Sequence, residues 1–258
     1  MAKVSTSLFD LTGRTALVTG SSRGIGLALA RGLGAAGAKV IINARDTEQA
    51  RRAAATLADE GLQTAVCPFD VTVPEQVSQA VMQCEAEMGP IEILVNNAGI
   101  QRRGPLLDLD HADWRAVMST NLDAVFSVSR EVARGMITRG HGKIISIASL
   151  MSEVARPGTA PYAAAKGGVK MLTRAMCVEW APLGLQINAI GPGYFATELT
   201  AQLVADPTFD SWIRARTPAG RWGRVEELVG VAVFLASGAS DFVNGQTVYV
   251  DGGVLAGL

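Results

Sequence analysis

Histidine, cysteine and tyrosine are scarce in this chain, whose 258 residues hold two, three and three of them. The scarcity restricts the chemistry. His111 stands among Asp108, Asp110 and Asp113 at an expected helix start, and His141 lies between Gly140 and Gly142; both are expected on the solvated surface, which leaves a serine hydrolase without its base. Cys67, Cys84 and Cys177 form no C-x-x-C pair and have no neighbouring histidine, so neither a disulfide framework nor a zinc site is expected. They read as buried free thiols, and no metal is expected. Charge of neither sign dominates, with 23 Lys and Arg against 24 Asp and Glu. The resulting pI near 6.2 argues against nucleic acid as a partner, since phosphate binding needs clustered cations. No run approaches the roughly 20 apolar residues of a membrane span, and Met1-Ala-Lys-Val-Ser-Thr-Ser lacks an apolar secretory core. A cytoplasmic protein without a membrane partner is expected. No Ser/Pro-rich stretch, charge block or repeat interrupts the chain, and 48% of it is hydrophobic. One domain over residues 1–258 is expected, with a large core.

Short apolar runs rich in β-branched residues alternate with helical patterns. Strands are expected near Ala16–Thr19, Val40–Asn43, Thr64–Phe69, Ile91–Asn96, Lys143–Ile147, Gln186–Ile190 and Thr247–Val250. Seven strands with helices between them imply an α/β fold, a Rossmann-type doubly wound parallel sheet covered on both faces. Asp46-Thr-Glu-Gln49 and Thr72-Val-Pro-Glu75 each set a capping side chain three residues ahead of Gln or Glu, which marks helix starts.

The first strand runs into Gly20-Ser-Ser-Arg-Gly24-Ile-Gly26 and then a helical pattern, a phosphate-binding arrangement. Gly20 permits the tight turn, Gly24 lets the backbone approach a pyrophosphate, and Gly26 lets the helix pack on the strand. The same residues satisfy the G-x-S-x-G pattern of a hydrolase nucleophile elbow at Ser22. Only some twenty residues precede Ser22, too few to supply the oxyanion loop that such an elbow requires.

Tyr162 and Lys166 are four residues apart just inside a predicted helix, hence on one face. A phenol is a poor base at neutral pH, and a fixed ammonium beside it favours the phenolate. With Ser149 upstream to hydrogen-bond a carbonyl or alcohol oxygen, the trio can move a proton to or from that oxygen while a hydride moves elsewhere. This is alcohol–carbonyl redox chemistry. Three further motifs follow strands, on the edge where ligands collect in such sheets: Asp70, Asn96-Asn97-Ala98-Gly99 and Gly191-Pro192-Gly193-Tyr194-Phe195-Ala196-Thr197.

Taken in order, Thr19-Gly-x-x-x-Gly-x-Gly26, Asn96-Asn-Ala-Gly99, Asn121, Ser149, Tyr162-x-x-x-Lys166 and Pro192-Gly-x-x-x-Thr197 resemble the short-chain dehydrogenase/reductase family over essentially the whole chain. The resemblance implies that Tyr162 is the acid/base and Ser149 orients the substrate oxygen. It also implies that Lys166 binds the nicotinamide ribose and lowers the tyrosine pKa, and that Asn121 supports a water relay. Ser149 is chosen over Ser146 and Ser152 because the family sets its serine thirteen residues before the tyrosine. Cofactor contacts are implied for Gly20, Ser22, Arg23, Gly24, Ile25, Gly26, Arg45, Asp70, Val71, Asn97, Ala98, Gly99, Tyr162, Lys166, Pro192, Gly193, Phe195 and Thr197, and a homotetramer is implied as the assembly.

Cofactor choice is expected at the end of the second strand, Ile41-Ile-Asn43-Ala44-Arg45-Asp46. Ala44 fills the slot where an NAD enzyme carries an acid, while Arg45 and Arg23 can hold a 2′-phosphate, so NADP is expected. The rival reading takes Asp46 as the acid of an NAD site. Within the family the chain is similar to the gluconate 5-dehydrogenase group through Gly99-Ile-Gln-Arg102-Arg103, Ser149-Leu-Met-Ser-Glu153, Thr217-Pro-Ala-Gly-Arg221-Trp-Gly223 and Ser240-Asp-Phe-Val-Asn-Gly245. It departs from that group's usual residues at Gly220 and Ala148. A sugar-acid substrate is therefore expected, with Arg102, Arg103, Ser149, Glu153, Arg156 and Tyr194 as candidate contacts; alternatively Arg102 and Arg103 are a solvated pair or an oligomer contact. The competing functions are another carbonyl reductase, of 3-ketoacyl carrier protein or a polyol, and a non-catalytic NADP sensor.

Overall fold

Alternation within the strands settles which side of the sheet each residue faces. A computed structural model describes residues 6–257. It contains strands β1 (Thr15–Val18), β2 (Lys39–Ile42), β3 (Thr64–Val66), β4 (Ile93–Asn96), β5 (Gly142–Ile147), β6 (Leu185–Pro192) and β7 (Thr247–Val250). They form one sheet of order β3-β2-β1-β4-β5-β6-β7, every neighbouring pair parallel. Ala16, Val18, Val40, Ile42, Ile93, Val95, Ile145 and Ile147 pack on one face against α1 (Gly24–Ala35), α2 (Thr47–Asp59) and, beyond them in sequence, the apolar helix Val229–Ala236. Leu17, Ile41, Leu94, Ile144 and Ile187 pack on the other against α3 (Pro74–Met88), α5 (Ala124–Arg139) and α6 (Ala160–Trp180). With both faces covered, the strand centres are mostly apolar on both sides, as parallel sheets favour. α4 (His111–Met118) precedes α5, and α7 (Ala201–Val204) and α8 (Pro207–Arg216) are inserted after β6.

The strand order reverses between β1 and β4, which opens a crevice at the carboxyl ends of these strands. The motifs that follow β1, β2, β3, β4, β5 and β6 share that edge. No helix of the described residues is long and apolar enough to cross a membrane.

Three local expectations are corrected. β3 stops at Val66 rather than Phe69 because the carbonyls of Cys67 and Phe69 accept from the Asn43 side chain, both at 3.1 Å, and Pro68 between them has no N–H to give. Thr72 does not cap α3: its hydroxyl donates to Asp70 Oδ1 at 2.7 Å, and Val73 is the capping residue ahead of Pro74. Cys67 and Cys84 are joined as a disulfide, Cα atoms 6.7 Å apart, rather than being free thiols. The turn after β3 folds α3 back over the strand end, so proximity comes from the tertiary path rather than from a short sequence spacing. Cys177 is free.

Candidate active site

The turn after β1 is built around glycines that no other residue can replace at two points. Gly20 has φ +61°, and a Cβ there would lie 2.9 Å from Ala98 Cα; a Cβ on Gly26 would lie 2.4 Å from Asn97 Nδ2 and 2.5 Å from the Gly20 carbonyl. Gly24, at φ +56°, has no atom within 4 Å of that position, so open space lies over the start of α1. The side chains of Asp46, Asp110 and Asp206 accept from the first N–H groups of α2, α4 and α8, whereas Arg23 gives α1 no such cap. An uncapped helix N-terminus beside an open glycine turn fits a dinucleotide pyrophosphate.

Buried polar side chains hold this turn. Asn43 Oδ1 accepts from Gly20 N at 3.1 Å, and its amide spans to the end of β3. Asn97 Nδ2 donates to the carbonyls of Thr19 and Gly20, and Thr19 Oγ1 accepts from the backbone of Asn97 and Ala98. The Asn97 Nδ2 group is thus committed to the turn. Gly99, Val71 and Ile25 line the same edge; Arg23 is exposed and pairs with Glu198 at 3.2 Å, and Arg45 is exposed with Nη1 3.8 Å from Asp70 Oδ2. Asp46 accepts from Glu48 N, Gln49 N and Gln49 Nε2. Its carboxylate is spent on the helix cap. Across the crevice, Pro192 ends β6, Gly193 approaches Asp251 too closely for a side chain, and Phe195 is buried under Gly223. Thr197 begins the helical turn Glu198–Thr200, with its N–H on Thr200 Oγ1.

Three serines lie in and just after β5, and their partners separate them. Ser146 is buried in the sheet near Asn96, Ser152 donates to the Lys166 carbonyl at 2.8 Å, and Ser149 accepts from Met151 N and hydrogen-bonds the Tyr162 phenol. Tyr162 sits in the first turn of α6, and Lys166 lies one turn on. Lys166 Nζ is buried, donates to the Ile147 carbonyl at 2.5 Å and lies 5.6 Å from the Tyr162 ring centroid. Burial lowers the Lys166 amine to about 8. Burial also pushes the Tyr162 phenol up, opposed by the Ser149 hydrogen bond and then by the Arg103 charge. Ser149 and Arg103 favour the phenolate in this arrangement, while the Lys166 amine donates to the last carbonyl of β5. Asn121 occupies a single π-helical turn, Ser119–Asp123, and is fully buried; its side chain exchanges two 2.8 Å hydrogen bonds with the Ile100 backbone.

A family model described as enoyl-(acyl carrier protein) reductase matches residues 20–255. The chain belongs to the short-chain dehydrogenase/reductase family. It is 57% identical to a gluconate 5-dehydrogenase of Gluconobacter oxydans over 97% of this chain and 98% of that one. It is 51% identical to a 5-keto-D-gluconate 5-reductase of Escherichia coli K12 over 97% of this chain and 99% of that one. Among solved structures, a gluconate 5-dehydrogenase from Burkholderia cenocepacia in complex with NADP and tartrate superposes with TM-score 0.96 at 57% identity, covering 98% and 99% of the two chains. The protein is an oxidoreductase acting on CH–OH groups.

The six candidate substrate residues of this oxidoreductase divide. Arg103, Arg156 and Tyr194 act electrostatically on one another, and Arg103 acts on Tyr162; the loops that carry the two arginines touch, Gly104 N donating to the Gly158 carbonyl at 3.4 Å. Arg102 does not join them: its Nε pairs with Asp113 on α4 at 3.3 Å. Glu153 does not either, since it binds Lys170 on α6 and the Tyr249 hydroxyl on β7, and these hydrogen bonds hold its carboxyl below the ordinary range. Sequence reasoning missed Asn43, read simply as the end of a strand, and an aromatic wall. Phe209, Trp212 and Trp222 surround Tyr194 with ring centroids 5.9, 6.1 and 5.9 Å away. Aromatics are only 5% of the chain, so three within residues 209–222 were the available signal.

Proposed function

We infer that this oxidoreductase interconverts D-gluconate and 5-keto-D-gluconate with NADP. The observation that carries the reading is the Arg103 charge, which acts on the Tyr162 phenol, a cation near the reacting oxygen as a sugar acid needs. The named relatives support the same substrate. Arg103 takes the carboxylate, Tyr194 meets the hydroxyls, and Ser149 donates to the carbonyl oxygen. NADPH, held at the glycine turn and at Lys166, would supply the hydride for the carbonyl carbon. The Tyr162 O–H gives its proton to the carbonyl oxygen, and in the reverse direction the phenolate takes it back. Lys166, at the base of the cleft, is assigned to the nicotinamide ribose.

The 2′-phosphate is assigned to Arg45 and Arg23, both exposed at the adenosine end. Consumption of Asp46 as a helix cap argues against the NAD alternative. Exposed Phe126 on α5 and Met171 and Val178 on α6 support self-association, with the homotetramer as the form proposed. The test is NADPH oxidation with 5-ketogluconate, an acetoacetyl thioester and neutral ketoses. Preference for 5-ketogluconate is expected. Faster turnover of the thioester, with no rate on the keto acid, would transfer the protein to the acyl-reductase reading.

A further inference from the structure

Arg156 has an arrangement that the proposed reaction does not yet use. It lies in the loop between β5 and α6, where its carbonyl accepts from Thr159 Oγ1 at 2.8 Å. Its guanidinium carbon stands over the ring of Phe209, 4.7 Å from the centroid, although Phe209 belongs to the inserted helix α8. Its Nε is buried and has no hydrogen-bond partner. Among the described residues neither Arg156 nor Arg103 forms an ion pair; Arg103 donates through Nε and Nη2 to the neutral Gln101 side chain. The loops that carry these two guanidinium groups touch, Gly104 N donating to the Gly158 carbonyl at 3.4 Å, and no carboxylate of the described residues pairs with either group.

A planar guanidinium can rest against a ring and still offer N–H donors from its edge. A buried, charged donor left unpaired is costly, and two like charges facing one cleft raise that cost. An anion reaching both would relieve it. We propose that Arg156 is a specificity-determining residue, the second half of a two-arginine carboxylate clamp with Arg103, and that Phe209 is the positioning residue that holds its guanidinium at the cleft. The ligand class is a polyhydroxy carboxylate, and this step rests on the sugar-acid reading above. Tyr194 connects the two parts, since its ring meets Phe209 edge-on and both arginines act on its hydroxyl.

The experiment compares wild type, Arg156→Ala, Arg156→Lys, Phe209→Leu and Phe209→Tyr. Each is assayed with 5-ketogluconate and with D-fructose as a neutral ketose, with NADPH affinity and melting temperature checking integrity. Arg156→Ala is expected to raise KM for the acid on the order of 10- to 100-fold, with KM for fructose and NADPH affinity nearly unchanged. Arg156→Lys should recover only part of the loss, because the ammonium lacks the planar edge. Phe209→Leu should raise KM for the acid several-fold and Phe209→Tyr should restore it, which a purely structural role for the ring would not produce. Equal changes for acid and neutral substrates would overturn the clamp.

A second readout is independent of turnover: calorimetric titration of tartrate into the protein with NADP+. Loss of tartrate binding in Arg156→Ala but not in Arg102→Ala supports the clamp, and equal binding by wild type and Arg156→Ala overturns it. If the wild type binds tartrate through Arg156 yet ignores 5-ketogluconate, the clamp stands and the substrate assignment falls.

Discussion

At the scale of single residues, the chemistry depends on a phenol kept protonated and a cation kept near it. Burial raises the Tyr162 pKa, so the side chain carries its proton at neutral pH and is set up as an acid for ketone reduction. Reduction should therefore hold at neutral pH and decline as the phenol ionises at alkaline pH, while alcohol oxidation, which needs the phenolate, should rise over the same range. Tyr162→Phe is expected to lose roughly 10²–10⁴ in kcat in both directions while still binding NADPH. Rate profiles against pH in each direction check this, and a variant with near-normal turnover would remove Tyr162 from the mechanism. Ser149 was separable from Ser146 and Ser152 in the sequence only through the family spacing; in the structure, hydrogen-bond partners make the separation.

At the scale of elements, the start of α2 sets two roles side by side. Asp46 caps the helix through Glu48 N and Gln49 N, and Arg45 projects into solvent beside Asp70. Asp46→Ala should lower the urea midpoint and leave the NADPH-to-NADH preference unchanged, since the carboxylate serves the helix. Arg45→Ala should do the reverse, weakening NADPH by about 1–3 kcal/mol with little effect on NADH or on unfolding. Urea midpoints and cofactor titrations of both variants decide between them, and a large gain in NADH binding by Arg45→Ala alone would point to a different determinant. The Asp46-to-Gln49 spacing was readable as a cap because the motif is local. Thr72 misled for the same reason: its pattern was right, but Asp70 two residues earlier competed for the hydroxyl.

At the scale of the whole molecule, stability carries the mark of the buried site. Lys166 is lowered to about 8 from the ordinary 10.5, so between these values the unfolded chain binds a proton that the folded chain does not. Stability from this group must then rise with pH across that window, by up to about 3 kcal/mol. Lys166→Met removes the titration. Subtracting its urea-unfolding free energy from that of the wild type at pH 7 and at pH 10 should give a difference that grows in favour of the wild type. A flat difference would mean that the amine is not desolvated in the folded chain.

The sheet was legible because its strands are buried on both faces: apolar runs of β-branched residues between helical patterns mark a parallel α/β sheet whatever the details of packing. The glycine turn and the Tyr162–Lys166 pair were legible because their geometry is local, set by one turn and by one helical repeat. Tertiary structure decided what depends on residues remote in sequence. It sent Arg102 to Asp113 and Glu153 to Lys170 and Tyr249, and brought Arg103 and Arg156 together from loops after β4 and β5. It joined Cys67 to Cys84 and set Phe209 from the α8 insertion beneath Arg156. A long charged side chain has several partners within reach of its backbone position, and which one it takes is fixed by the packing of the elements around it rather than by its neighbours in sequence.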